Sequence, residues 1–255
     1  MAEILLMIVG GAFAGAFGSL LGLGGGILIV PLLTLGFGLD LREAVGVSLV
    51  SVIMTSSVSA GVYLQRHLAD LRLGMRLELF TAIGALVGGT IAFLIDERWL
   101  SVLFAALLGY VAVSMLRADV SSDDEPGAGR PAYQVRNLRI GAVGSTGAGV
   151  ASALLGVGGG IIKVPLMHLA MGIPLRVATA TSNLMVGITA AASAVIYLIH
   201  GEIDPYVAGP IGIGVFLGAS LGSRVAHRID LRILRLLFVV VLLYTAVQML
   251  LRAAS

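Results

Sequence analysis

Gly22-Leu23-Gly24-Gly25-Gly26-Ile27-Leu28-Ile29-Val30-Pro31 is the stretch on which the fold turns, because the chain contains it twice. Gly156-Val157-Gly158-Gly159-Gly160-Ile161-Ile162-Lys163-Val164-Pro165 repeats it at an offset of 134 residues. Each copy interrupts a long apolar run with three consecutive glycines and closes on a proline. In hydrocarbon such a break frees backbone N–H and C=O groups, which are tolerated only where protein buries them or where they line a cavity. Paired breaks at corresponding positions of two halves are the best pointer a membrane chain gives to a transporter's binding site.

The composition agrees with a membrane setting. Of 255 residues, 58% are hydrophobic and 12% charged, with a mean hydropathy of +1.04. An ordinary soluble domain is about 25% charged. Apolar segments fall at about 4–21, 27–38, 44–64, 77–95 and 99–116, and again at about 138–155, 161–173, 177–199, 205–223 and 233–251. Their number and length predict an all-α polytopic membrane protein. The segments after the glycine motifs are too short to span unaided, which predicts broken helices or re-entrant hairpins. Residues 1–22 lack a basic flank and carry Glu3, so they read as part of the membrane structure and not as a signal peptide.

The offset holds well beyond the glycines. Leu41-Arg42 matches Leu175-Arg176; Ser48, Thr55 and Ser59 match Ser182, Thr189 and Ser193; Gly84 and Gly88 match Gly218 and Gly222; Asp96 and Arg98 match Asp230 and Arg232. This predicts a first membrane repeat at 1–117 and a second at 138–255. Residues 118–137, with Asp123-Asp124-Glu125-Pro126 and Arg130-Pro131, form a polar linker between them. Arginine swaps sides between equivalent loops. Arg66, Arg72 and Arg76 face a counterpart loop with Glu202 and Asp204, whereas Asp96-Glu97-Arg98 faces one with Arg224, Arg228, Arg232 and Arg235. Positive charge marks the cytoplasmic side, so the repeat reads as inverted, with an odd number of crossings per half and a cytoplasmic linker.

Several function classes find no support. There is no cysteine, no HExxH, no GxSxG and no Walker motif, so the chain does not read as an enzyme, an ATP-driven pump or a cofactor carrier. His67, His168, His200 and His227 lie on separate segments without metal-ligand spacing, and the net charge of +2 gives no nucleic-acid patch.

The residues that carry chemistry lie around the motifs. A helix that starts after Gly24-Gly25-Gly26 or Gly158-Gly159-Gly160 presents N–H groups with no acceptor inside the helix, and its dipole favours an anion there. Lys163, the sole lysine, sits in the second copy where the first has Ile29. An ionisable group at membrane depth is a functional candidate by default, against the alternative that it snorkels to the interface. Ser48, Ser51, Thr55 and Ser59 share one helix face, which Ser182, Thr189 and Ser193 repeat. These hydroxyls serve either as ligands for oxyanions or as bonds between helices. Thr181-Ser182-Asn183, beside the second motif, is the part of this face expected to touch substrate. The glycine pairs at 84/88 and 218/222 read as packing faces, and Asp70 and Asp204 as caps.

Gly-Leu-Gly-Gly-Gly-x4-Pro, its second copy with Lys163, and the run Leu175-Arg176-Val177-Ala178-Thr179-Ala180-Thr181-Ser182-Asn183 together resemble the TauE/SafE sulfite exporter family, also called the toluene sulfonate uptake permease family. The resemblance covers essentially the whole chain. It implies a multi-pass inner-membrane permease for small sulfur-containing anions such as sulfite, sulfoacetate or other organosulfonates, with a proton or other ion as a possible coupling partner. An anion channel and a non-transporting membrane anchor for a sulfur-metabolising enzyme remain the alternatives.

Overall fold

The structure is a computed structural model that describes residues 2–21, 25–65, 69–117, 133–225 and 231–254. Gly22, Leu23 and Gly24 of the first motif, Arg66, His67, residues 118–132 of the linker, His227, Arg228 and Asp230 lie outside the described residues. In the first half the helices are α1 (Ala2–Leu21), α2 (Gly26–Pro31), α3 (Leu41–Gln65), α4 (Leu71–Leu94) and α5 (Glu97–Arg117). In the second they are α6 (Leu138–Leu155), α7 (Gly160–Pro165), α8 (Leu175–Ile199), α9 (Pro205–Val225) and α10 (Leu231–Ala254). Among the described residues there is no strand. An apolar backbone with no water to bond must satisfy itself, and the helix does so within one segment.

Among the described residues, seven helices are long and apolar enough to cross a membrane by length and composition, namely α1, α3, α4, α5, α6, α8 and α9. Their outward faces carry exposed apolar side chains, among them Leu5, Leu94, Val143 and Ile199. The two short helices are different. Pro31 and Pro165 each end one, and the backbone widens directly afterwards into a π-helical turn, Leu32–Gly36 and Leu166–Ala170. Proline has no N–H to donate and crowds the carbonyl one turn back, which accounts for the change of pitch. The combined segments Gly26–Gly36 and Gly160–Ala170 are half the usual crossing length.

One boundary differs from the sequence reading. The fourth segment begins at Leu71 and not near residue 77. Asp70 caps it, its carboxylate accepting from Leu73 N–H at 3.1 Å, and Arg72 and Arg76 form exposed first turns that hydropathy alone assigns to a loop. The shift carries Glu78 from the edge of the segment to its third turn.

Helix partners exchange under the 134-residue offset. α1 packs on α9 as α6 packs on α4; α4 packs on α8 as α9 packs on α3; α3 pairs with α8 and α5 with α10. Each half therefore lays its first helix against the other half. Glycine makes the closest of these approaches. A Cβ at Gly84 or Gly88 would strike the α6 backbone at Thr146 or Val150, and one at Gly218 or Gly222 would strike α1 at Ala12 or Ala16. Small residues allow such contact in a membrane, where packing and not the hydrophobic effect holds helices together.

Candidate functional site

The two glycine motifs meet at the centre of this arrangement. A Cβ on Gly26 would overlap the carbonyl oxygen of Gly156 and sit 2.9 Å from Ser48 Oγ. A Cβ on Gly158 would press on Val186 at 2.5 Å and on Val52 at 2.8 Å, which are equivalent residues of the two halves. The Ser48 hydroxyl, on α3, donates to the Gly156 carbonyl at 2.8 Å, with the Gly26 carbonyl 3.2 Å away. It thus ties the first half to the second motif.

Gly25 and Gly159 precede their helices with φ of 76° and 74°, the left-handed region that a side chain disfavours. The first hydrogen bonds of the two helices run from Leu28 and Ile29 to the Gly25 carbonyl, and from Ile162 and Lys163 to the Gly159 carbonyl. The N–H groups of Gly26, Ile27, Gly160 and Ile161 have no acceptor inside their own helices. Beside them lie buried hydroxyls with no hydrogen-bond partner among the described residues. Ser182 Oγ is 3.5 Å from the Cβ position of Gly160, and Ser152 Cβ is 3.4 Å from that of Gly159. Ser145, two turns before Ser152 on α6, is a third. Beside the second motif lies a void of about 10 Å³, lined by Leu107 of α5 and by Ala151, Ser152, Val157, Gly159, Ile161 and Ile162.

Lys163 leaves the first turn of α7 and runs into a second polar group. Its ammonium donates to Thr189 Oγ1 at 2.6 Å and lies 3.3 Å from Glu78 Oε2. The Thr189 hydroxyl lies 2.6 Å from Glu78 Oε1 and 3.1 Å from the Met185 carbonyl, both acceptors for its single proton. Lys163 is 1% exposed and Glu78 4%. The ammonium is therefore buried in an ion pair, which overturns the interface-snorkelling alternative for it. Ser182 and Thr189 share a face of α8, two turns apart, so the two polar groups are separated by about 10 Å.

Not every expected residue belongs here. Thr181 Oγ1 accepts from Asp70 N–H at 2.9 Å, at the start of α4, where Tyr133 also donates to Asp70 at 2.5 Å. Asn183 turns its side-chain amide to the Thr179 carbonyl at 3.0 Å, and its own carbonyl accepts from Ser56 at 2.6 Å. Most hydroxyls of the two stripes bond back to their own helices, as Ser51 does to Val47, Thr55 to Ser51 and Ser193 to Thr189. His168 faces the Ile173 carbonyl at 2.8 Å. Gly25, Gly26, Ser48, Gly158, Gly159, Gly160 and Ser182 come together; Lys163 stands beyond them with Glu78; Gly24 is outside the described residues. Sequence reasoning missed Glu78. Its signal was an acid inside an apolar run, Leu77-Glu78-Leu79, that faces the one lysine.

Long apolar helices, paired half-length helices and a buried ion pair between the halves define a multi-pass membrane transporter as the class. The family described as Sulfite exporter TauE/SafE matches residues 7–249, and the chain belongs to it. A probable membrane transporter protein of Bacillus subtilis, YunE, is 26% identical over 97% of both chains. A probable membrane transporter protein of Xylella fastidiosa is 29% identical over 89% of this chain and 86% of its own length. MJ0441 of Methanocaldococcus jannaschii, likewise a probable membrane transporter protein, is 29% identical over 91% and 90%. No solved structure matches the chain.

Proposed function

We propose that this protein is a secondary transporter of small sulfur-containing anions, among them sulfite, sulfoacetate and related organosulfonates, in the inner membrane. The anion binds where the two glycine motifs meet, against the free N–H groups of α7 and the hydroxyl of Ser182, and draws the Lys163 ammonium toward it. The observation that carries this reading is a buried Ser182 hydroxyl at the glycine junction, without a partner among the described residues, with the chain's single lysine about 10 Å further along the same face of α8. Sulfonate and sulfite oxygens accept hydrogen bonds from such donors, and an ammonium supplies the counter-charge.

In this reading the two repeats, 1–117 and 138–255, take opposite orientations across the bilayer, and the linker 118–137 is cytoplasmic. The arginine swap between equivalent loops supports that placement, and the exchange of helix partners fits a twofold relation between the repeats. Rocking of one repeat against the other would open the closed junction to each side in turn. The test is a panel of labelled sulfite, sulfoacetate, thiosulfate and sulfate offered to liposomes that contain the purified chain, with and without a proton gradient. Saturable exchange of one of these anions supports the reading; an anchor subunit would move none.

A further inference from the structure

We propose that Glu78 couples anion movement to protons: its carboxylate holds the Lys163 ammonium in the empty site, the anion displaces it, and the released carboxylate takes up a proton. The proposal rests on the anion-transport reading and adds the coupling ion and the residue that carries it.

The geometry supplies the competitor. Glu78 lies in the third turn of α4, with one oxygen toward the Lys163 ammonium and the other toward the Thr189 hydroxyl. The pair occurs once. The positions equivalent to Lys163, Glu78 and Thr189 in the other half are Ile29, Gly212 and Thr55, so the repeated scaffold builds the same helices without an ion pair there. A buried ion pair is a weak contributor to stability and often no better than apolar packing, which leaves its retention to be explained by a switch.

Charge counting then fixes the step. In the empty site one ammonium and one carboxylate sum to zero. A singly charged anion on the ammonium leaves Glu78 with no counter-charge, and an isolated ionised carboxylate is strongly disfavoured in a dry interior. A proton from the water on the side of entry forms an O–H bond on Glu78, and no bond of the protein breaks. Thr189 is placed to serve both states. In the empty site it accepts from Lys163 and donates to Glu78. In the loaded site it accepts from the Glu78 acid and donates to the Met185 carbonyl, already 3.1 Å away. When the anion leaves on the far side the ammonium returns to Glu78 and expels the proton there. One proton accompanies each anion in the same direction.

Other titratable groups on the surrounding elements have separate surroundings. Arg72 and Arg76 on α4 and Arg139 on α6 are exposed. Asp70, ahead of α4, is held by Tyr133, His168 faces the Ile173 carbonyl, and Tyr197 on α8 donates to Ala153. The side chain of Arg176 on α8 lies outside the described set. Among the described side chains, Lys163 is the charged group that meets Glu78.

The experiment uses the full chain in liposomes with a labelled monosulfonate such as methanesulfonate and, for exchange alone, labelled sulfite, the membrane potential clamped at zero and the outside more acidic by about one pH unit. One proton per anion gives about tenfold accumulation by the wild type, since tenfold is the equivalent of one such unit. Glu78→Gln, a neutral isostere, is expected to keep exchange of internal for external anion, to lose accumulation, and to bind the anion about tenfold more tightly because the competitor is gone. Glu78→Asp is expected to restore accumulation. Should Glu78→Gln fail to insert, a pH dye inside wild-type liposomes decides: one proton entering per anion upholds the proposal and none overturns it. Accumulation by Glu78→Gln equal to wild type, or wild-type accumulation indifferent to the gradient, overturns the coupling while the transport reading stands. No exchange of either anion by the wild type overturns both.

Discussion

The Lys163 ammonium lies 3.3 Å from Glu78 Oε2, joining residues 85 apart in sequence across α7 and α4. Removal of one partner strands the other charge in the interior, at a cost of about 3–5 kcal/mol. Lys163→Met should therefore lower the thermal midpoint in detergent. The double variant Lys163→Met/Glu78→Leu should recover most of the loss without recovering anion affinity. A double variant as unstable as the single would mean that the pair is structural glue and not a switch.

Ser48 and Ser182 are equivalent residues with opposite expectations. Ser48 bonds to Gly156, so Ser48→Ala leaves a buried carbonyl under-satisfied and should destabilise the protein by about 1–2 kcal/mol. Ser182 has no partner among the described residues. Ser182→Ala should leave the thermal midpoint unchanged and weaken the stabilisation that added sulfite confers. Melting curves with and without sulfite measure both; equal effects of the two variants would remove Ser182 from the site.

The glycines can be ranked by what a side chain would meet. Gly25→Val and Gly159→Val place a β-branched residue at φ of 76° and 74°, at a cost of about 1–3 kcal/mol each. Both should insert and fail to transport. Gly26→Ala should do the same by pushing the Gly156 carbonyl away. Gly61→Ala and Gly109→Ala point into open space and should transport normally. Normal uptake by both valine variants would make the motifs packing devices only.

The chain has no cysteine, so single cysteines at the exposed equivalent positions Gln65 and Ile199 report topology cleanly. An impermeant maleimide should reach them from opposite sides of the membrane. Labelling of both from one side contradicts the inverted repeat.

What could be read in advance follows from what repeats. The 134-residue offset exposed the glycine motifs and the equivalent helices, because duplicated backbone needs duplicated small residues. Asp70 was legible as a residue of a segment end, but hydropathy starts the apolar run near residue 77, so the helix turn that Asp70 caps was not. Lys163 was legible because a lone cation in such a run has no ordinary reason to be there. Glu78 was not, since the exposed Arg72 and Arg76 just before it made it look like part of an interface turn. Only the cap at Asp70 moves it inward, and only tertiary packing sets it opposite Lys163. The hydroxyl stripes were legible as a face, but a helix face does not show that Ser51, Thr55 and Ser193 bond to their own backbone while Ser182 does not. Thr181 and Asn183 flank Ser182 in sequence, yet adjacent residues on a helix point about 100° apart, and the packing gives them other partners.

The most direct test of anion binding at Lys163 is counterflow of labelled sulfite in liposomes that contain the full chain, with wild type and Lys163→Met at equal protein density. Wild type should show saturable counterflow, and Lys163→Met should lose anion affinity by about tenfold or more, as removal of a desolvated counter-charge requires. Counterflow by Lys163→Met with wild-type affinity and rate would contradict the account.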